Sequence, residues 1–211
     1  SAVQALKDTG QLVRGHAAIM DCYDPQRTVG LVVDEWGTWW NVEEGTNPGF
    51  LYQQNTLRDA LVASVHFDVF HAFADRVTMA NIAQTVNVLQ AMILTDPDSG
   101  ALVLTPTYHV FEMNTGHHDA ASLAVHLKGE RPTREVDGGE LKLLSASAST
   151  RDDSALISLS NLDAEQARTV VLDLRGREVT GFTARLLATA EINAHNTPAA
   201  QYPKAPTPAT R

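Results

Sequence analysis

The chain has 211 residues, 44% of them hydrophobic, and carries a formal net charge of −9 at pH 7. This acidic balance argues against nucleic acid or an anionic membrane as a partner, since both bind to a basic face. No run of 18 apolar residues predicts a membrane span, and the single cysteine, Cys22, excludes an intrachain disulfide.

The chain opens with a predicted helix over residues 2–22, where apolar side chains recur at roughly helical spacing. An unbroken aliphatic run then predicts a strand over residues 28–35, buried on both faces as the strands of parallel sheets are. This strand ends on two adjacent carboxylates, Asp34 and Glu35, and three tryptophans follow within five positions.

Charged groups at the carboxyl end of a parallel strand lie where α/β sheets and barrels bind their ligands. Indole rings at the same place offer flat apolar faces and an N–H donor, which suits a sugar. The segment therefore favours a carbohydrate site with Glu35 as a catalytic carboxylate, and a turn cap or half of an ion pair is the structural alternative. Because consecutive strand residues point to opposite faces, Asp34 is expected to have a structural role.

A loop over residues 37–52 leads to a second predicted helix, capped at Asn55 or Thr56. Its apolar residues recur at four-residue spacing over residues 57–69. Residues 76–80 then predict a second buried strand, and this strand–helix–strand order predicts a parallel βαβ unit.

From residue 123 onward the apolar pattern changes from helical spacing to alternation. Five short alternating segments, separated by turn residues, predict an antiparallel β-sandwich. These segments are residues 122–127, 141–147, 155–160, 169–174 and 182–187. The boundary between the two halves is predicted near residue 118, and the chain closes on a proline-rich tail over residues 201–208 with no predicted strand after it.

The residues around the first strand end resemble a known family. The run DEWG over residues 34–37 resembles the nucleophile strand of glycoside hydrolase family 51, the α-L-arabinofuranosidases. The resemblance continues in order and spacing through residues 47–55 (NPGFLYQQN), 74–77 (ADRV), 81–88 (NIAQTVNV), 104–111 (LTPTYHVF) and 193–197 (NAHNT).

This resemblance implies an α/β plus all-β fold. Residues 1–118 would hold the C-terminal strands and helices of a (β/α)8 barrel, including its last two strands. Residues 119–211 would form a C-terminal antiparallel β-sandwich that is incomplete at its end. Family members are longer, so the chain is expected to be the C-terminal portion of such an enzyme.

The resemblance also assigns roles to individual residues. Glu35 matches the catalytic nucleophile, Gln84 an amide that hydrogen-bonds a sugar hydroxyl, and Trp39 a tryptophan that flanks the leaving-group side. The alternatives are a buried glutamine that satisfies backbone groups and a core aromatic residue. The acid/base glutamate of the family follows an asparagine, and no Asn-Glu pair occurs here, so the isolated chain is expected to be inactive.

The function implied is release of terminal α-L-arabinofuranosyl residues from arabinan or arabinoxylan oligosaccharides, without a metal or organic cofactor. Relatives are often hexamers, so a homo-oligomer is expected, and the lack of a leader-like start indicates a cytoplasmic protein while leaving export open. Two alternatives stay open. The protein could be a non-catalytic carbohydrate-binding or interface module, although residues 123–190 contain no Trp or Tyr, or a related glycosidase acting on a xyloside or a glucan.

Two further clusters have a weaker signal. His117, His118 and Asp119 are residue types that bind metals, but adjacent side chains diverge, so packing in a domain linker is the favoured interpretation. Residues 193–196 form a family-like phrase whose role does not follow from the sequence; attachment of the sandwich to the barrel is one hypothesis.

Overall fold

The computed structural model describes residues 2–129, 132–136, 139–200 and 207–209. The helices in these residues are α1 (Ala2–Tyr23), α2 (Leu57–Ala72) and α3 (Pro106–Asn114), with short 3₁₀ turns at Pro48–Phe50 and Thr115–His117. The strands are β1 (Leu31–Trp36), β2 (Val77–Ile82), β3 (Ile93–Thr95), β4 (Leu102–Leu104), β5 (Ala121–Leu123), β6 (Thr133–Val136), β7 (Gly139–Lys142), β8 (Leu144–Arg151), β9 (Ser154–Asn161), β10 (Ala184–Leu186) and β11 (Thr207–Ala209).

The predicted βαβ unit is present at the start of the fold. Strands β1 and β2 pair in parallel, with Leu31 opposite Val77 and Trp36 opposite Ile82, and α2 connects them. The parallel pairing brings the carboxyl ends of both strands to the same edge of the sheet. The residues that follow Trp36 and Ile82 therefore meet at this edge.

The prediction that β1 is buried on both faces is wrong. Leu31 and Val33 pack against the core formed with α1 and α2, whereas Val32 on the other face is 44% exposed and Met79 of β2 is 55% exposed. The sheet has two strands among the described residues, and the helices cover only one of its faces. The apolar run is thus half-buried here.

Trp36 forms the centre of the main core. Its ring is 5% exposed and stacks on the rings of His66 and Phe111, at centroid distances of 5.1 and 5.9 Å. Phe67 and Phe70 present their edges to it. Aromatic contacts of this kind add to the apolar area that Trp36 buries, so the end of β1 is held firmly against α2.

Helix α2 begins at the predicted cap. Thr56 and Asp59 form a capping box, in which each side chain bonds to the backbone of the other. The predicted four-residue apolar row is only partly correct, because Leu57 is buried while Leu61 and Val65 are half-buried. Helix α2 packs against α1, α3, β8 and β9, so residues on several of its faces are buried, and these include small and polar ones.

The second half contains antiparallel strands, as predicted, but not all in the predicted places. Strands β5, β8 and β9 form one sheet, β6 pairs with β7, and β10 pairs with β11. Residues 169–174 form no strand; they are largely solvent-exposed and have no neighbouring strand in the described part of the chain. The unpredicted strands are β6, the β3–β4 hairpin and β11, which begins in the proline-rich tail.

A row of hydroxyl groups joins the two halves. In β8 the serines alternate with alanines, so Ser145, Ser147 and Ser149 share one face. Ser145 donates to Asp68 at 2.5 Å, the Ser147 hydroxyl lies 2.9 Å from His71 Nδ1, and the Ser149 hydroxyl lies 2.7 Å from His117 Nδ1. We call these residues the serine seam.

The segment over residues 192–196 makes a second connection to the first half of the chain. The carbonyl oxygens of Ile192 and Ala194 accept hydrogen bonds from the backbone N–H groups of Arg58 and Leu57, at 3.0 and 2.9 Å. These are N–H groups in the first turn of α2, which no carbonyl of the helix itself can satisfy. Asn196 donates through its side chain to the carbonyl oxygen of Leu104.

Candidate active site

Glu35 is the penultimate residue of β1 and is exposed. It lines a cavity of about 190 Å³ together with Trp39, and the floor is formed by residues that include Ala83 and Leu89. Within the described residues its carboxylate has no hydrogen-bond or ion-pair partner, which disfavours a role as a turn cap or structural ion pair. The structure therefore brings Glu35 and Trp39 into one site.

Gln84 lies in a different place. It lines a second, larger cavity of about 830 Å³, while the preceding residue, Ala83, lines the cavity of Glu35. The Ala83–Gln84 peptide bond, which is cis, thus stands between the two cavities. Gln84 is exposed and Trp39 is 68% exposed, so neither is the buried side chain of the alternative interpretation.

Asp34 is also exposed, and among the described residues its side chain makes no hydrogen bond or ion pair. The pairing of β1 with β2 shifts register between Val33 and Trp36, so the regular alternation of faces is interrupted there. The structural role predicted for Asp34 has no support in these contacts.

The loop after Glu35 is fixed by two buried polar side chains. Thr38 donates its backbone N–H to Gln90 Oε1 at 2.7 Å, and its hydroxyl lies 3.0 Å from the same oxygen and 3.2 Å from Asp59 Oδ1. Gln90 Nε2 in turn donates to the carbonyl oxygen of Asp59 at 2.9 Å. Asp59 and Gln90 are both fully buried, so these bonds form out of reach of competing water.

Trp40 is held on the other side of Trp39. Its indole Nε1 donates to Asp59 Oδ1 at 2.7 Å, and its backbone N–H donates to Gln53 Oε1 at 2.9 Å. The guanidinium of Arg58 lies over the Trp40 ring, 3.9 Å from its centroid, in a cation–π contact. Trp39 is therefore an exposed side chain between two residues whose positions are fixed.

Gly37 permits the close approach of the two strand ends. Its φ of +143° is rarely adopted by residues with a side chain, and a Cβ there would lie 3.1 Å from Gln90 Oε1 and 3.3 Å from the carbonyl oxygen of Ala83. The Ala83 N–H donates to the carbonyl oxygen of Trp36 at 3.0 Å. The end of β2 is thereby held directly beside Glu35.

Sequence reasoning missed Asp59, Gln90 and Gln53. The capping-box spacing of Thr56 and Asp59 is visible in the sequence, but the bonds from Asp59 to Thr38 and Trp40 are not. Gln90 lies 52 residues from Thr38 along the chain, and no local pattern marks such a pair.

Arg76 is another buried group that the sequence did not single out. Its guanidinium is 1% exposed and bonds to Asp21, to Asp24 and to the carbonyl oxygen of Val29. The Val29 N–H and then Arg76 hold the pKa of the Asp24 carboxyl well below its usual range. Arg76 thereby ties the end of α1 to the segment that enters β1.

The histidine cluster is a packing feature. His117 is buried, with the hydroxyls of Ser149 and Ser158 at 2.7 and 2.9 Å from its two ring nitrogens, and burial lowers its pKa. Across the described residues, no group of three or more His, Cys, Asp or Glu side chains is placed to hold a metal ion. None of the helices in that same part of the chain has the length and apolarity of a membrane span.

Comparison with known proteins identifies the family. The model of the alpha-L-arabinofuranosidase C-terminal domain matches residues 34–211. An intracellular exo-alpha-L-arabinofuranosidase of Bacteroides ovatus is 45% identical over 186 residues, which are 88% of this chain and 36% of that protein.

Two solved structures are similar to the fold described above. The GH51 arabinofuranosidase from Xanthomonas axonopodis pv. citri matches 99% of this chain and 42% of its own, with a TM-score of 0.90 and 45% identity. The thermostable GH51 α-L-arabinofuranosidase from Thermotoga petrophila RKU-1 matches 98% of this chain and 44% of its own, with a TM-score of 0.76 and 24% identity, a likeness of fold.

The chain thus spans less than half the length of each of these relatives. Its mixture of helices and sheets is consistent with the C-terminal part of a GH51 protein. By family model, sequence identity and structure, the chain belongs to the alpha-L-arabinofuranosidase C-terminal domain family of glycoside hydrolase family 51.

Proposed function

We propose that this chain is the C-terminal portion of a retaining α-L-arabinofuranosidase and that Glu35 is its nucleophile. One observation carries the proposal: in a chain of this family, an exposed carboxylate without a partner among the described residues lies beside Trp39 in a cavity at the carboxyl end of a parallel strand. That edge is where parallel α/β folds bind ligands.

The reaction would proceed in two displacements. A carboxylate oxygen of Glu35 attacks the anomeric carbon of an arabinofuranosyl unit, the bond to the leaving oxygen breaks, and a second carboxylic acid gives that oxygen a proton. The same second group then takes a proton from water, whose oxygen attacks the anomeric carbon and breaks its bond to Glu35. Two inversions retain the configuration.

Trp39 and Gln84 would bind the substrate. The exposed indole of Trp39 offers an apolar face to a sugar ring beside Glu35. The amide of Gln84 is donor and acceptor at once, which suits a sugar hydroxyl at the boundary of the two cavities. Asp59 and Gln90 touch no substrate in this scheme; they position the loop that carries Trp39.

The rest of the enzyme completes the proposal. Residues 1–118 would be the end of a (β/α)8 barrel and residues 119–211 a β-sandwich, and the acid/base glutamate would come from an earlier barrel strand. The substrates would be arabinan and arabinoxylan oligosaccharides, and the assembly a homo-oligomer, a hexamer by resemblance. A cytoplasmic location agrees with the name of the Bacteroides relative, and no cofactor takes part.

The test uses the full-length protein that carries this chain. We expect it to hydrolyse a 4-nitrophenyl α-L-arabinofuranoside in preference to the β-xyloside, with the retained anomer as the first product by proton NMR. Glu35→Gln should lower kcat by about 10³-fold or more, the order expected when a nucleophile is lost. Azide should restore turnover of Glu35→Ala and give a glycosyl azide of inverted configuration.

Glu44→Gln is the matched control, since Glu44 is an exposed glutamate in the same loop region. It should leave kcat within about twofold, as expected for a surface change. Cleavage of the xyloside with the arabinoside untouched would disprove the substrate assignment. Full activity of Glu35→Gln would disprove the assignment of the nucleophile.

A further inference from the structure

The larger cavity is unexplained by the cleavage step alone. At about 830 Å³ it is several times larger than the 190 Å³ cavity of Glu35. Its walls come from the loop before α2, from residues 84–88, from the β3–β4 hairpin and from residues 196–198. Ala83 lines the cavity of Glu35 and the next residue, Gln84, lines this one, so the two cavities are neighbours in the fold.

The charges of the lining indicate a neutral ligand. No Lys, Arg or His side chain of the described residues lines the cavity, so it offers no positive charge to a phosphate or a carboxylate. Its acidic residue, Asp96, is already engaged by the hydroxyl and the backbone N–H of Ser99, which hold the pKa of its carboxyl below the usual value. The lining also gives a cation no cluster of ligands.

The remaining groups suit a molecule that has both apolar faces and hydroxyls. Phe50 is 70% exposed and lines the cavity. Tyr52, two residues further along the chain, also lines it and is half-buried, and burial raises the pKa of its phenol. The amides of Gln54 and Gln84 can both donate and accept. Aromatic faces next to amide groups are the combination that binds a sugar ring.

Asn196 is a second, independent indication of a ligand. It lines the cavity, is 2% exposed, and donates through Nδ2 to the carbonyl oxygen of Leu104, while its Oδ1 is buried without a hydrogen-bond partner among the described residues. A buried oxygen without a hydrogen-bond donor is unfavourable, so a donor that enters from the cavity would be favoured there. A sugar hydroxyl is such a donor.

We propose that this cavity binds the neutral pentose units of the substrate that lie beyond the cleaved bond, with Phe50 as the stacking surface and Asn196 as a hydroxyl acceptor. This inference rests on the proposed function, since it assigns the part of the substrate that the Glu35 cavity does not hold. It makes Phe50 a determinant of chain-length preference, in addition to the contacts that Glu35 and Trp39 would make on either side of the cleaved bond.

The experiment compares two substrates in the full-length protein. A 4-nitrophenyl α-L-arabinofuranoside has one sugar, and α-1,5-arabinotriose extends into the cavity. We expect Phe50→Ala to lower kcat/KM for the triose by about tenfold, in the range of a lost aromatic contact, and to leave the aryl substrate within about twofold. Phe50→Tyr, which keeps an aromatic ring, should keep kcat/KM for the triose at the value of the unaltered protein.

Phe182→Ala is the control for loss of an exposed aromatic residue, because Phe182 is 65% exposed and lies away from the cavity. It should change neither substrate. Calorimetry with arabinotriose in a Glu35→Gln background separates binding from turnover. Adding Phe50→Ala to this background should raise Kd by the same factor of about ten.

Equal losses on both substrates, or no loss on the triose, would overturn the cavity assignment. A change of oligomeric mass in Phe50→Ala with both rates intact would overturn it as well, since Phe50 would then be a subunit contact. If the unaltered protein left the aryl arabinofuranoside uncleaved, the proposed function would fail instead. The two failures are therefore distinguishable.

Discussion

Gln90 shows how one buried amide can fix the loop that follows Glu35. Its oxygen receives the Thr38 N–H and approaches the Thr38 hydroxyl, and its nitrogen donates to Asp59. All three partners are buried, so loss of the amide leaves polar groups unsatisfied where water cannot replace it. The same amide lies against Gly37, next to Glu35.

We predict that Gln90→Met, which keeps the length of the side chain, destabilises the protein by about 1–3 kcal/mol. Urea unfolding followed by tryptophan fluorescence would measure this loss. In the full-length enzyme the same change should lower kcat more than it raises KM, because it displaces the loop that carries Trp39. Gln11→Met on the exposed face of α1 is the control and should stay within about 0.5 kcal/mol.

An unchanged kcat in a destabilised Gln90→Met enzyme would show that the amide supports the fold without positioning the site. At this scale the sequence could mark Glu35 and Trp39 as candidates, since a strand end and a motif are local features. It could not mark Gln90 or Arg76, each of which bonds to a residue 52 positions away in the sequence. Such pairs exist only after the chain has folded.

At the scale of the elements, the sequence predicted the helices and the parallel pair well. The capping residue of α2 and the unbroken aliphatic run of β1 are strong local signals, and both elements are present. Strands in the second half were harder to predict, because an alternating pattern is shared by paired strands and by exposed segments such as residues 169–174. Whether β11 forms depends on its partner β10, not on its own sequence.

Two partners in the serine seam, Asp68 and His71, are titratable groups whose charged forms are disfavoured by burial. Burial raises the pKa of the Asp68 carboxyl from 3.8 to about 6, and burial together with His117 lowers the pKa of His71 from 6.5 to about 4. The neutral Asp68 carboxyl therefore contributes stability that is fully present below pH 3.8 and is lost as the pH rises through 6. The neutral His71 ring acts in the opposite sense, and its contribution is lost as the pH falls from 6.5 through 4.

We predict that Asp68→Asn raises the unfolding free energy at pH 8 by about 2 kcal/mol and leaves it nearly unchanged at pH 4. The asparagine is neutral at both pH values and can still accept from Ser145. Thermal unfolding over this pH range measures the difference from the unaltered protein. Asp153→Asn, at the exposed turn between β8 and β9, should show no such pH-dependent gain, and an equal gain at both pH values would contradict the explanation.

At the scale of the whole molecule, the chain matches the C-terminal part of longer relatives and contains no Asn-Glu pair. The family-like phrases predicted this relationship from the sequence. The domain boundary near residue 118 stays a prediction, since the serine seam and residues 192–196 join the two halves closely.

We predict that the 211-residue chain alone does not hydrolyse a 4-nitrophenyl α-L-arabinofuranoside. A retaining mechanism needs two carboxyl groups about 5–5.5 Å apart, and the chain lacks the Asn-Glu pair expected to supply the second one. Release of nitrophenol at equal molar concentrations of the chain and the full-length enzyme provides the measurement. If the 211-residue chain released nitrophenol faster than the same chain with Glu35→Gln, one of its own acids would serve as the proton donor.

The alternation of serine with alanine in β8 has a consequence for how the two halves are oriented. A strand of alanines could slide along α2 at little cost, because apolar contacts have no direction. A slip of one residue would replace the three hydroxyls with neighbouring side chains of the other face, and a slip of two would leave one end partner, Asp68 or His117, without its serine. The three hydrogen-bonded serines therefore favour one register of β8 against its partners, and this register helps to set the orientation of the second half relative to the first.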